Sequence, residues 1–182
     1  MITLKKIQDA HKRILPFINY TPLIYSQFLS KNFKVKLKLE NFQITGSFKI
    51  RGAINKLLTL SNSEKEKGVI AVSTGNHGKA VAYASKVLGI KSTIYMSSMV
   101  PNYRKEAIEN LGAKVEIVGK NSDEADLFAR QLSQDKNMPL IHPFDDQDII
   151  VGQGTIGLEM LKDYPDVDTI IVPTSGGGLV SG

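Results

Sequence analysis

Cysteine and tryptophan are both missing from the 182 residues, and aromatic residues make up only 7% of them. Without cysteine there is neither a disulfide framework nor a thiolate metal site, and the chain suits a reducing, cytoplasmic setting. Histidine is scarce too. His11, His77 and His142 lie far apart in sequence and form no ligand pattern, so a zinc or iron site is not expected. No signal peptide is visible and no apolar run is long enough to span a bilayer, so membrane attachment is not expected either. Solenoid repeats and low-complexity tracts are also absent. The glycine-rich stretches match neither the G-x-x-x-x-G-K-S/T nor the G-x-G-x-x-G pattern, which leaves nucleoside triphosphates and dinucleotides without their motif.

What is present is the composition of a soluble globular protein, 42% hydrophobic and 23% charged, enough for one ordinary domain or two small ones. The net charge of +5 raises nucleic acid as a partner. Much of that excess sits in Lys31, Lys34, Lys36 and Lys38, and the last two alternate with Val35, Leu37 and Leu39 at a period of two. That pattern predicts a strand over 35–39 with a wet lysine face. With no aromatic stacking platform beside it, nucleic-acid binding is not expected.

Helical spacing of Leu4, Ile7, His11 and Ile14, closed by Pro16, predicts a first amphipathic helix. The polar segment Ser61–Gly68, with Ser63 and Glu66 at capping-box spacing, reads as a crossover. From Gly68 onward short apolar runs alternate with helical patterns. Strands are predicted at 69–72, 92–96, 115–118, 140–142 and 169–172, and helices at 79–88, 102–111 and 123–134, with Ile156, Leu158, Met160 and Leu161 marking another. A β-α rhythm of this kind implies an α/β fold, a mostly parallel sheet with helices on both faces, and a ligand at the carboxyl ends of its strands.

Three short stretches carry the chemistry. Ser47 is a candidate N-cap, and Phe48, Ile50, Ala53, Ile54, Leu57 and Leu58 follow it at helical spacing, which puts Lys49 in a first turn among apolar neighbours. The positive helix end and burial both disfavour the ammonium form, as a Schiff-base lysine requires, although a lysine beside a helix start is more often a surface residue. Ser73-Thr74-Gly75-Asn76-His77-Gly78 is a polar, glycine-containing βα loop whose main-chain N–H groups suit a carboxylate or phosphate, with a helix expected just after it. Ser175-Gly176-Gly177-Gly178, directly after a predicted strand, suits a phosphate ester. A nucleophilic lysine, an anion-holding loop and a separate phosphate cradle together describe pyridoxal 5'-phosphate better than other cofactors.

Glu40-Asn41-Phe42-Gln43 through Ala53, the Ser73–Gly78 loop, Pro143-Phe144-Asp145-Asp146, Gly152-Gln153-Gly154-Thr155 and Ser175–Gly178 closely resemble the pyridoxal-phosphate serine/threonine dehydratase and serine racemase family, of the tryptophan-synthase-β fold type. The resemblance runs over essentially the whole chain in the right order. It implies three-layer parallel-sheet domains: a large cofactor domain from 1–62 and 142–182, incomplete at its C-terminal side, and an inserted small domain at 63–141. It further implies that Lys49 is the Schiff-base lysine and the base at Cα, that Phe48 packs near the pyridine ring, and that Asn76 bonds the phenolic oxygen. Ser73, Thr74, Gly75 and His77 fall in the substrate-carboxylate loop, and Ser175, Gly176, Gly177, Gly178 and Leu179 in the phosphate loop, where the family's first glycine is replaced by Ser175.

The activity so implied is dehydration and deamination of L-threonine or L-serine to a 2-oxo acid and ammonia. Racemisation of serine, set back by Thr74 where racemases carry a serine base, or dehydration of hydroxyaspartate is a second reading. A third is an inactive cofactor-binding or partner-binding fragment, since the family's chains run well past the phosphate loop. The expected partners are an amino-acid substrate and either a second copy of the chain or the remaining C-terminal part.

Overall fold

In a computed structural model, which describes all 182 residues, the chain opens with α1 (Leu4–Ile14), capped by the Thr3 hydroxyl on the Lys6 N–H. Its inner face is Ile7, Ala10 and Ile14, while Leu4 stays exposed. A short hairpin follows, β1 (Leu23–Tyr25) antiparallel to β2 (Lys36–Lys38). The expected strand at 35–39 is thus only three residues long, and its lysine face is not wet. The Lys38 side chain is 6% exposed and ion-paired, Lys36 lies over the Tyr164 ring, and Leu37 is the residue turned outward. Carboxylate and aromatic partners from a distant helix invert the face that periodicity alone assigns.

Helix α2 (Lys49–Thr59) starts one residue later than a Ser47 cap requires. Phe48 occupies the cap position with helical backbone angles and makes no side-chain cap bond, and the buried Ser47 hydroxyl has no partner. In α3 (Asn62–Lys67) the capping box is Ser61 with Glu64, not Ser63 with Glu66; Gly68 closes the helix after six residues, so its start lies two positions earlier.

The parallel sheet comprises β3 (Val69–Val72), β4 (Ser92–Met96) and β5 (Lys114–Ile117), in the order β3-β4-β5. Helices α4 (Asn76–Leu88), α5 (Asn102–Glu109) and α6 (Ser122–Lys136) alternate with the strands. Alternate residues of β3 and β4 enter different apolar clusters: Val69, Ala71, Ile94 and Met96 join Ala80 and Val81 of α4, whereas Ile70 and Tyr95 pack with Ala129 of α6. Both faces of the sheet are therefore covered, as expected of a parallel sheet. The segment predicted as a strand at 140–142 contributes a single parallel bridge, Leu140 to Ile70, on the free edge of β3.

Helix α7 (Gln147–Asp163) is capped by Asp146, whose carboxylate accepts from the N–H groups of Asp148 and Ile149. It crosses α2 with glycine against glycine: a Cβ on Gly152 would stand 2.7 Å from the Gly52 Cα and 2.7 Å from the Arg51 carbonyl oxygen. Residues 169–172 are not a strand. They bond no neighbouring backbone, and Ile171 is 92% exposed. A β conformation needs a partner strand to satisfy its N–H and C=O groups, and none lies beside this segment. The main apolar cluster of 21 residues runs without interruption from Ile14, Ile50 and Ile54 through Val69 and Ile94 to Ile141 and Ile149, across the positions at which a domain division is expected.

Candidate active site

The first residue of α2 puts Lys49 at the rim of a cleft of about 340 Å³, lined also by Phe48, Phe144 and the chain from Pro173 to Val180. Lys49 and the Ser175–Leu179 loop, far apart in sequence, face the same space. The lysine is half-buried, with Nζ donating to the Pro143 carbonyl at 2.7 Å. Burial depresses its pKa below the ordinary lysine value, because the ammonium loses hydration there without a counter-charge. The expectation for Lys49 and the geometry agree in direction.

The glycine loop is shaped by Phe144. A Cβ on Gly176 would overlap the Phe144 ring, and one on Gly178 would meet the Phe144 carbonyl oxygen and Cβ at 2.8 Å. Gly177 has φ +84°, a left-handed conformation that glycine adopts freely. Glycine is therefore required at three successive positions, while the neighbouring Ser175 is exposed and adds a hydroxyl.

Ser73, Thr74, Gly75 and Asn76 stand at the carboxyl end of β3 but do not line this cleft. The helix expected after Gly78 begins at Asn76, so Asn76, His77 and Gly78 form its first turn and their N–H groups point along the helix start. The Asn76 side chain is exposed. His77 is different: its ring is 4% exposed, and Nε2 donates to the Ile141 carbonyl at 2.8 Å. Burial lowers its pKa to about 4, opposed by the Ile141 bond and aided by the Lys49 charge. Its imidazole is thus committed to the protein interior, and only its main-chain N–H remains for a ligand. No group of histidine and carboxylate side chains is placed to hold a metal ion.

Sequence reasoning missed the group behind Lys49. The Arg51 guanidinium, fully buried, spans two carboxylates: it donates to both Glu40 oxygens at 2.8 Å and to both Glu159 oxygens at 2.7 and 2.9 Å. Lys38 reaches the same Glu159 at 2.6 Å, and the Thr21 hydroxyl bonds Glu40. These contacts join the N-terminal hairpin, α2 and α7 beneath the first turn that carries Lys49. The signal available in the sequence was Glu159, a lone acid within the apolar run Ile156–Leu161.

A lysine at a helix start, a glycine loop folded over an aromatic ring and a parallel βα sheet define a class of cofactor enzyme, and the chain belongs to the pyridoxal-phosphate-dependent enzyme family, whose pattern matches residues 14–182. The fold is of the tryptophan-synthase-β type. A catabolic L-threonine dehydratase of Staphylococcus aureus is 48% identical over 185 residues, covering 100% of this chain and 54% of the relative. Among solved structures, serine racemase from maize superposes with a TM-score of 0.92 at 36% identity, covering 97% of this chain and 54% of that one. The processed form of threonine deaminase isoform 2 from Solanum lycopersicum does so at 0.91 and 35%, covering 98% and 51%. The chain spans about half the length of the relatives it matches.

Proposed function

We propose that this chain supplies the cofactor lysine, the phosphate loop and the substrate-carboxylate loop of an enzyme that dehydrates and deaminates L-threonine or L-serine to a 2-oxo acid and ammonia. The observation that carries the proposal is the opening of Lys49 and the Ser175–Gly178 loop onto one cleft. The residues present fit pyridoxal 5'-phosphate: the lysine amine is partly desolvated, and the loop accommodates no Cβ at Gly176 or Gly178. When bound, the cofactor supplies an aldehyde for condensation with amines and an electron-accepting pyridine ring. Main-chain N–H groups of 175–179 would hold its phosphate and Phe48 would pack against its ring, while Asn76, at the carboxyl end of β3 and outside the cleft lining, would have to reach across to its phenolic oxygen.

The chain's own groups do the rest. The Ser73, Thr74, Gly75 and His77 loop would hold the substrate carboxylate, chiefly through the N–H groups of Thr74 and His77, since those of Ser73 and Gly75 already bond the Tyr95 carbonyl and the Ser73 hydroxyl, and so fix which Cα bond is aligned for cleavage. The Lys49 amine, uncharged more readily than an ordinary lysine, takes the Cα proton and protonates the departing β-hydroxyl. Racemisation needs a second base opposite Lys49, and a threonine hydroxyl at 74 is a poorer fit for that role than a serine, which favours dehydration. The division into a cofactor domain of 1–62 and 142–182 and a small domain of 63–141 belongs to this proposal, as do an amino-acid substrate and association with a further copy or segment.

Borohydride reduction after addition of pyridoxal 5'-phosphate, with peptide mass spectrometry, tests it. The expected label is on Lys49 and is lost in Lys49→Ala, followed by ammonia release from L-threonine by the full-length protein. Label spread equally over surface lysines in both proteins contradicts the assignment.

A further inference from the structure

The segment Ile141–Asp145 is fastened at three points, and one acceptor on it faces Lys49. His77 Nε2 donates to the Ile141 carbonyl at 2.8 Å. The Ile141 N–H donates to the Ile70 carbonyl at 2.8 Å, and within the segment the Asp145 N–H donates to His142 Nδ1 at 2.8 Å. Phe144 is seated against the glycine loop as described. Between these fixed points Pro143, its φ locked by the ring, turns its carbonyl to Lys49 Nζ at 2.7 Å.

We propose that Ile141–Asp145 is a preorganised cradle for the Lys49 amine: the Pro143 carbonyl receives the ε-amino group whenever it is not joined to a cofactor, and His77 is the positioning residue that holds this carbonyl in place. The inference rests on the reading of Lys49 as the cofactor lysine. A free lysine side chain samples many rotamers, and an acceptor at a fixed place reduces that freedom and keeps the amine near the atom whose proton it moves. His77 is suited to anchoring because it stays uncharged above about pH 4, so it adds no positive charge beside the amine. Replacing it by a neutral side chain near pH 7 removes a hydrogen bond and no charge.

The sequence offers a direct probe of this contact. Only two Pro–Phe bonds occur, Pro16–Phe17 and Pro143–Phe144, so carbonyl-¹³C proline combined with ¹⁵N phenylalanine gives two carbonyl–nitrogen correlations. In the cofactor-free chain the Pro143–Phe144 signal is expected to shift with the midpoint at which Lys49 loses its proton, read independently from pH-dependent amine labelling and mass spectrometry. The Pro16–Phe17 signal stays still, and the shift vanishes in Lys49→Met. Burial, aided by Arg130 and opposed by Asp145, Asp126 and Asp146, lowers the His142 pKa from the ordinary histidine value, away from the lysine step. In His77→Leu the Lys49 midpoint falls by about one unit, because a buried ammonium loses a charge-assisted hydrogen bond. His77→Gln, which retains a donor, restores part of it.

A Pro143–Phe144 signal that ignores the Lys49 titration overturns the cradle, and so does an unchanged Lys49 midpoint in a folded His77→Leu. If His77→Leu does not fold, the labelled wild-type chain decides alone. Loss of borohydride trapping at Lys49, by contrast, strikes the cofactor-lysine reading and leaves the amine-to-carbonyl contact open to the same titration.

Discussion

Burial moves the ionisation of Lys49 and His77 in the same direction, toward the uncharged form, and for His77 this has a consequence for stability. An imidazole whose pKa drops from 6.5 to about 4 on folding binds fewer protons in the folded state than in the unfolded state between those values. Stability from this residue is complete above about pH 6.5 and declines as the pH falls toward 4, by about 3 kcal/mol at most. Urea unfolding at pH 7 and pH 4.5 should therefore show a loss that is smaller in His77→Gln; equal losses in both proteins count against the assignment. The setting of Lys49, half-buried at a helix start, was legible in the sequence because its apolar neighbours and helix position are local. The partners of Arg51 were not, because its contacts to Glu159 join residues 108 apart in the chain. Local pattern carries a residue's immediate setting and is silent about a partner that arrives with another helix.

Elements buried on both faces were the most readable. β3 and β4 have the predicted bounds, since a continuous apolar run between turns leaves few alternatives, and α4 ends at Gly89 in the left-handed conformation as a glycine stop implies. The run at 169–172 is as rich in β-branched residues and does not become a strand, because strand formation depends on a neighbour as well as on sequence. The glycine loop marks the other limit. Its richness in glycine was visible, but the reason, a phenylalanine more than thirty residues upstream pressed against Gly176 and Gly178, was not. Gly178→Ala should force the loop off Phe144 and weaken pyridoxal 5'-phosphate binding by about tenfold, given overpacking costs of about 1–3 kcal/mol. Equilibrium dialysis of the cofactor is the measurement, and unaltered affinity would show that the loop can yield without cost.

Across the whole molecule, the apolar cluster and the Arg51 group act at the same junction. The first joins α1, α2, the sheet and α7, and the second joins the hairpin to α2 and α7. Arg51→Met should cost about 3–5 kcal/mol in urea unfolding, since Glu40 and Glu159 are left with one lysine between them. Against a total stability of about 5–15 kcal/mol, such a loss takes away from about a fifth to all of it. Lys38→Met should cost less, because Glu159 keeps both bonds to the guanidinium.

The cleft is assembled from the two ends of this sequence, with about two-thirds of its residues lying between Lys49 and Ser175. During synthesis on the ribosome the lysine emerges first, the sheet of β3, β4 and β5 follows, and the glycine loop comes last. Every residue of the small sheet has therefore emerged before the loop that would grip a phosphate. A cofactor that needs both Lys49 and this loop can be held only by chains in which the two, 126 positions apart, have already met.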